Sequence, residues 1–218
     1  MKIIGKTFEN KKEEIAYLVK HKKEILEFKK AAIKFTDGTI VNTSSNEVSK
    51  ALHTSKENDT DSVIKRTLIG NTYNWLDSHG DVHLDGTFTK SIKERQNKIW
   101  HLHDHEQKIT AKIGVPTNIY ESKVAWKDLG INKDGETTSL FMDSDIKKDY
   151  NALIFQEYKN GNIDQHSVGM YYVKIELAAN DEDFEEEFKV WNENIDKVGN
   201  KSQAEELGYF WAVKEAKL

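Results

Sequence analysis

Two short runs carry the residues of this chain best suited to chemistry: Trp100-His101-Leu102-His103-Asp104-His105 and, downstream, Asn162-Ile163-Asp164-Gln165-His166-Ser167-Val168-Gly169-Met170. The second offers a hydroxyl and the first offers imidazoles, the two parts of a serine nucleophile and its general base. An imidazole near its ordinary pKa can take a hydroxyl proton at neutral pH, which an unactivated serine requires. On an extended chain His101, His103 and His105 share one side, so any of the three can serve as the base. The equally simple structural reading is an edge strand whose histidines hydrogen-bond locally.

The segment after Ser167 alternates. Ser167, Gly169, Tyr171, Val173, Ile175 and Leu177 fall on one face of a strand, with Val168, Met170, Tyr172, Lys174 and Glu176 on the other. This places Ser167 at a strand's beginning, with Gly169 leaving room beside the hydroxyl for a substrate backbone or an oxyanion. A serine at a strand entrance with a glycine marking a bulge is the plainer alternative.

Elements able to position these groups follow from periodicity and turn residues. An amphipathic helix is expected over Asn10 to Ile33, with Ile15, Leu18, Val19, Leu26 and Ala32 on its apolar stripe, as a packing helix or as an arm that docks on a partner. A hairpin-like piece at Lys34 to Val41 and a polar linker over Asn42 to Asp61 follow. The first core strand is expected within Ser62 to Trp75, turning at Asp77 to Gly80. Further strands are expected around Lys98 to His105, Lys112 to Tyr120 and Thr138 to Phe141. An acid-led helix covers Asn180 to Trp191, and a closing strand Trp211 to Leu218. This order gives an α+β fold, a mixed or antiparallel barrel with helices outside. The division expected is residues 1–61 as an N-terminal helical segment, hairpin and linker, and 62–218 as the catalytic domain.

Bulk properties narrow the function. The 218 residues suffice for one ordinary core with an appendage. A net charge of -5 with interspersed signs gives no basic face for nucleic acid. The absence of cysteine excludes thiol nucleophiles, thiolate zinc sites and disulfides, and fits synthesis in the cytoplasm. No apolar run approaches the length that spans a bilayer, and charges follow Met1-Lys2-Ile3-Ile4-Gly5 where a signal peptide would have an apolar core, so neither a membrane partner nor export by that route is expected.

From about Asp77 to Leu218 the chain resembles the prohead maturation proteases of tailed bacteriophages, serine proteases with a fold like the herpesvirus capsid-maturation protease. Four landmarks occur in the family's order. Asp77-Ser78-His79-Gly80-Asp81-Val82-His83-Leu84-Asp85-Gly86-Thr87-Phe88 is similar to its opening motif, with Thr87 where alanine is usual. Ile99 to Asp104 is similar to its hydrophobic strand ending in His-Asp, followed by the Ile113-Gly114 pair. The resemblance then implies a helix from about Ser144 to Tyr158, closed by Asn160-Gly161, leading to Ser167-Val168-Gly169, which is similar to its Ser-[small apolar]-Gly motif. Trp211 to Leu218 is similar to its closing strand, which in the family continues with a further glutamate and an apolar stretch.

The resemblance implies Ser167 as nucleophile and His103 as base, being the histidine followed by aspartate, with His105 or His101 as replacements. It implies an acid as the third group, Glu215 aligning best, with Asp104, Glu176 and the run Asp181 to Glu187 as other carboxylates. Backbone N–H groups near Ser167 and around Ile113-Gly114 would form the oxyanion hole. No cofactor or metal is implied. The substrates implied are scaffold protein and the major capsid protein inside a prohead in the bacterial host cytoplasm, with self-association and self-cleavage. Two other classes compete: a zinc metallohydrolase built on His101, His103 and His105 with Asp104, His79, Asp81 and His83, and an inactive capsid or scaffold component that retains the protease fold.

Overall fold

A computed structural model describes residues 6–35, 59–163 and 165–218. The hairpin-like piece expected at 34–41 and the linker expected at 42–61 lie largely outside the described residues, as does Asp164. In chain order the elements are α1 (Lys11–Lys20), α2 (Lys22–Ala31), β1 (Lys34–Phe35), β2 (Val63–Thr72), β3 (Asp81–His83), α3 (Thr89–Arg95), β4 (His101–Leu102), β5 (Lys112–Ala125), β6 (Glu136–Lys147), α4 (Ala152–Asn160), β7 (Gly169–Ala179), α5 (Glu185–Asn194), α6 (Lys201–Leu207) and β8 (Tyr209–Lys217), joined in places by short 3-10 turns. The fold is mixed α+β, with two curled half-barrel sheets of four strands each, ordered β1-β7-β8-β3 and β2-β6-β5-β4.

The chain forms two compact units that interleave along the sequence. One comprises residues up to Lys34, Tyr73–Lys90 and Met170–Lys217. Its N-terminal helical stretch is two helices. Asn10 caps α1 by accepting from the Glu13 N–H at 2.9 Å, and the chain breaks at His21, whose φ of -103° and ψ of 13° are not helical. Ile15 and Leu18 are buried, and in α2 so is Lys29, whose ammonium pairs with Asp81. The Asp81 carboxylate also accepts from the Tyr172 hydroxyl at 2.8 Å, so these helices pack within the unit.

The opening motif forms the turn its residues suggest. Asp77 Oδ1 accepts from the N–H groups of His79 and Asp81, each at 2.8 Å, with Gly80 at φ +73°. Thr87 is fully buried, and its hydroxyl hydrogen is shared between the carbonyls of Leu84 at 2.6 Å and Val213 at 2.8 Å, a tie that alanine cannot make. Trp191 of α5 and Ala204 of α6 pack with Val82, Ala178, Phe210 and Ala212 in the core of this unit.

The second unit comprises Phe35–Thr72, Ser91–Gly169 and Leu218. Its sheet is antiparallel throughout. Arg66 of β2 holds Asp59 through two contacts of 2.8 Å. The helix expected from Ser144 starts later. Asp143, Ser144, Asp145, Ile146 and Lys147 alternate as a strand between β2 and β5, and α4 begins only where the Asn151 side chain accepts from the Ile154 N–H at 3.0 Å. Gly161, at φ +76°, ends it. Phe155 and Tyr158 of α4 pack against Ile64, Ile113 and Ile146 of the sheet.

Candidate functional site

The three imidazoles do not share a face. Alternation requires extended backbone, and β4 is only His101–Leu102, paired with Gly114 and Lys112 of β5. Asp104 and His105 then take φ of +51° and +55°, left-handed values that aspartate and histidine tolerate better than most residues, at a cost of about 1 kcal/mol each. The rings diverge as a result. His101 turns inward and is 6% exposed. His103 is solvent-facing, its Nε2 3.4 Å from Asp104 Oδ2. His105 packs on Phe35 with ring centroids 4.2 Å apart, and burial pushes its pKa below the ordinary histidine value against the opposing pull of Asp104.

His101 is the start of a buried polar chain. Its Nδ1 lies 2.9 Å from Ser144 Oγ, its Nε2 3.2 Å from the Tyr158 hydroxyl, and that hydroxyl 3.0 Å from His166 Nε2. Ser144 is 1% exposed and Tyr158 5%. Burial drives the His101 pKa down to about 3, with the neighbouring His166 acting in the same direction, so His101 is a neutral imidazole at physiological pH. Burial also raises the Tyr158 pKa, which keeps its proton in place.

Gly114 makes room for this chain. A Cβ there would lie 2.7 Å from Ser144 Oγ, 2.9 Å from His101 Nδ1 and 3.0 Å from the Asp145 carbonyl oxygen. The Ile113-Gly114 pair lies in β5, inside the strand expected from Lys112, and the missing side chain admits the serine–histidine contact.

Ser167 is half-buried in the irregular stretch that leads into β7, two residues before the strand starts. Among the described residues the polar contact of the His103 ring is with Asp104, and no hydrogen bond joins it to Ser167. The simple two-face reading of β7 also changes. Register shifts around Val173 and Lys174 form a bulge, so Met170 and Tyr172 before it and Ile175 and Leu177 after it are all buried. Glu215, on β8, is bridged by Lys90 at 3.1 Å and Lys174 at 3.2 Å. Hydrogen bonds from these two ammonium groups hold its carboxyl below the usual carboxylate range.

No group of three or more His, Cys, Asp or Glu side chains among the described residues is gathered as metal ligands. No helix among them is long and apolar enough to cross a membrane.

Ser144, Tyr158 and His166 escape a reading of the sequence for function. Ser144 and Tyr158 look like the two ends of one helix, and His166 like an incidental neighbour of the serine motif. The one available signal is the Ile113-Gly114 pair, because a glycine inside a strand marks a close approach. No family model, curated protein or solved structure matches the chain.

Proposed function

We propose that this chain is a serine endopeptidase of the prohead-maturation type, with a herpesvirus-protease-like fold. The observation that carries the reading is the pairing of His103 with Asp104 on a strained, solvent-facing turn, in the same compact unit as the half-buried Ser167. Asp104 beside Nε2 favours the tautomer protonated there, which leaves the lone pair on Nδ1. Ser167 Oγ attacks the scissile carbonyl carbon while Nδ1 takes its proton. The same nitrogen then gives that proton to the leaving amine as the C–N bond breaks, and water repeats the sequence to release the acyl group. Catalytic hydrogen bonds of free enzymes tighten when substrate binds, so the Ser167–His103 contact belongs to the substrate complex. Asp104 is the orienting acid in this mechanism, and Glu215, occupied by two lysines, is a structural carboxylate.

The resemblance of the landmarks supports scaffold protein and the major capsid protein as substrates, inside the prohead, with self-cleavage. Confinement with substrate supplies a high effective concentration, so tight binding is not needed. The test is to compare the termini of capsid, scaffold and protease chains in proheads carrying wild-type or Ser167→Ala protein. New termini present only with the wild type are expected, and identical termini in both reject the role.

A further inference from the structure

We infer that Ser144, His101, Tyr158 and His166 form a buried proton-ordering relay that fixes the ring of the residue immediately before the nucleophile, with Tyr158 as a positioning residue for Ser167. This rests on the proposed role of Ser167. The relay spans β6, β4, α4 and the loop leading to Ser167, through contacts of 2.9, 3.2 and 3.0 Å.

Proton counting gives the relay two ordered states. Tyr158 has one hydrogen and meets two imidazole nitrogens, so it donates to one and accepts from the other. In one state it donates to His101 Nε2, His101 Nδ1–H donates to Ser144 Oγ, and His166 Nε2–H donates to Tyr158. In the other every bond is reversed: Ser144 donates to His101 Nδ1, His101 Nε2–H to Tyr158, and Tyr158 to His166 Nε2. A protonated His166 has a hydrogen on both nitrogens and is compatible only with the first state. The relay therefore sets the tautomer of His166 from a serine two hydrogen-bonded side chains away.

The packing shows that this is a built feature. Ser144, His101 and Tyr158 are each nine-tenths or more buried, where an unpaired polar group is costly, and Gly114 holds open the space for the Ser144–His101 contact. The Tyr158 and His166 rings are also stacked, at 24° and a centroid separation of 6.0 Å, which fixes the ring plane as well as its hydrogen bond. The chain reaches Ser167 one residue later. The His166 ring is thus an anchor for that stretch.

The test combines ring 15N spectra of the full chain with the rate at which a fluorophosphonate labels Ser167. Wild type should show a neutral imidazole for His101. In Tyr158→Phe the Nε2 signals of both histidines should move, and labelling should slow about tenfold, the equivalent of one hydrogen bond. His166→Gln, whose amide can still meet the tyrosine hydroxyl, should label within about threefold of wild type, while His166→Ala should fall about tenfold. If Tyr158→Phe does not fold, this glutamine–alanine pair decides the positioning role. Unmoved His166 signals in Tyr158→Phe overturn the relay, and equal labelling of the glutamine and alanine variants overturns the positioning role. If wild type itself is not labelled, the proposed function fails and the link to Ser167 falls with it, while the ring signals still decide the relay.

Discussion

His101 Nδ1 and Ser144 Oγ lie 2.9 Å apart in the interior of the second unit, in space that a Cβ at Gly114 would invade. The contact is closed to solvent, so this serine–histidine pair orders its surroundings, and in the proposed mechanism proton transfer with substrate falls to the exposed His103.

Gly114→Ala should break that contact. The new methyl would stand under 3.0 Å from both polar atoms, and either the strands separate or the His101 ring turns away. Overpacking of this kind destabilises by about 1–3 kcal/mol. Urea unfolding should report a loss in that range, and an unchanged midpoint would show that the sheet absorbs the methyl group.

The carboxylate beside His103 should matter more than the one on β8. Asp104→Asn should lower kcat at least tenfold with little change in KM, since it removes a group that acts on the base, roughly the value of one charge-assisted hydrogen bond. Glu215→Gln should leave kcat within about threefold, because the two lysines contact different carboxylate oxygens and one of them can still donate to the amide oxygen. Steady-state kinetics on a cleavable scaffold peptide separates the two; the reverse ranking would return Glu215 to the role of orienting acid.

Acid should destabilise the fold before its carboxylates titrate. Burial lowers His83 from 6.5 to about 4 and His101 from 6.5 to about 3, so between those values and 6.5 the unfolded chain binds more protons than the folded one. Stability is then full above pH 6.5 and falls as pH drops toward the folded values. From pH 6.5 to 5 each histidine costs about 2 kcal/mol. Urea midpoints at pH 7 and pH 5 measure the fall, and His101→Asn should remove about half of it.

The buried Lys29–Asp81 pair should be sensitive to the loss of one partner. Lys29→Met leaves the Asp81 carboxylate, which is 1% exposed, with the Tyr172 hydroxyl as its side-chain partner among the described residues, and an unpaired buried charge costs about 3–5 kcal/mol. A double variant, Lys29→Met with Asp81→Asn, should recover part of that loss in thermal or urea unfolding.

Much of this fold is legible in the sequence where local chemistry decides it. Asp77 to Gly80 form their turn because an aspartate side chain closes on two N–H groups and a glycine takes the left-handed position. The strands at Lys112 and Thr138 also follow from local patterns, while the Trp211 strand and the helix ending at Gly161 follow from the resemblance. The misreadings have a common cause, since alternation and helical spacing presume unbroken backbone. The helix over Asn10 to Ile33 breaks at His21, the histidine strand ends after Leu102, and the bulge near Val173 returns the next residues to the face that alternation had reversed. The helix that the resemblance implies from Ser144 begins only at Ala152, because Asp143 to Lys147 pair as a strand on both sides. The Ser144–His101–Tyr158–His166 chain could not be read, because no local rule states that β4, β6 and α4 converge.

The role of Ser167 as nucleophile is tested most directly by treating the full chain with a fluorophosphonate and mapping the adduct by peptide mass spectrometry. A single adduct on Ser167, abolished in His103→Ala, is the predicted result. An adduct on Ser144, or an unmodified chain under conditions that label a known serine protease, would contradict it.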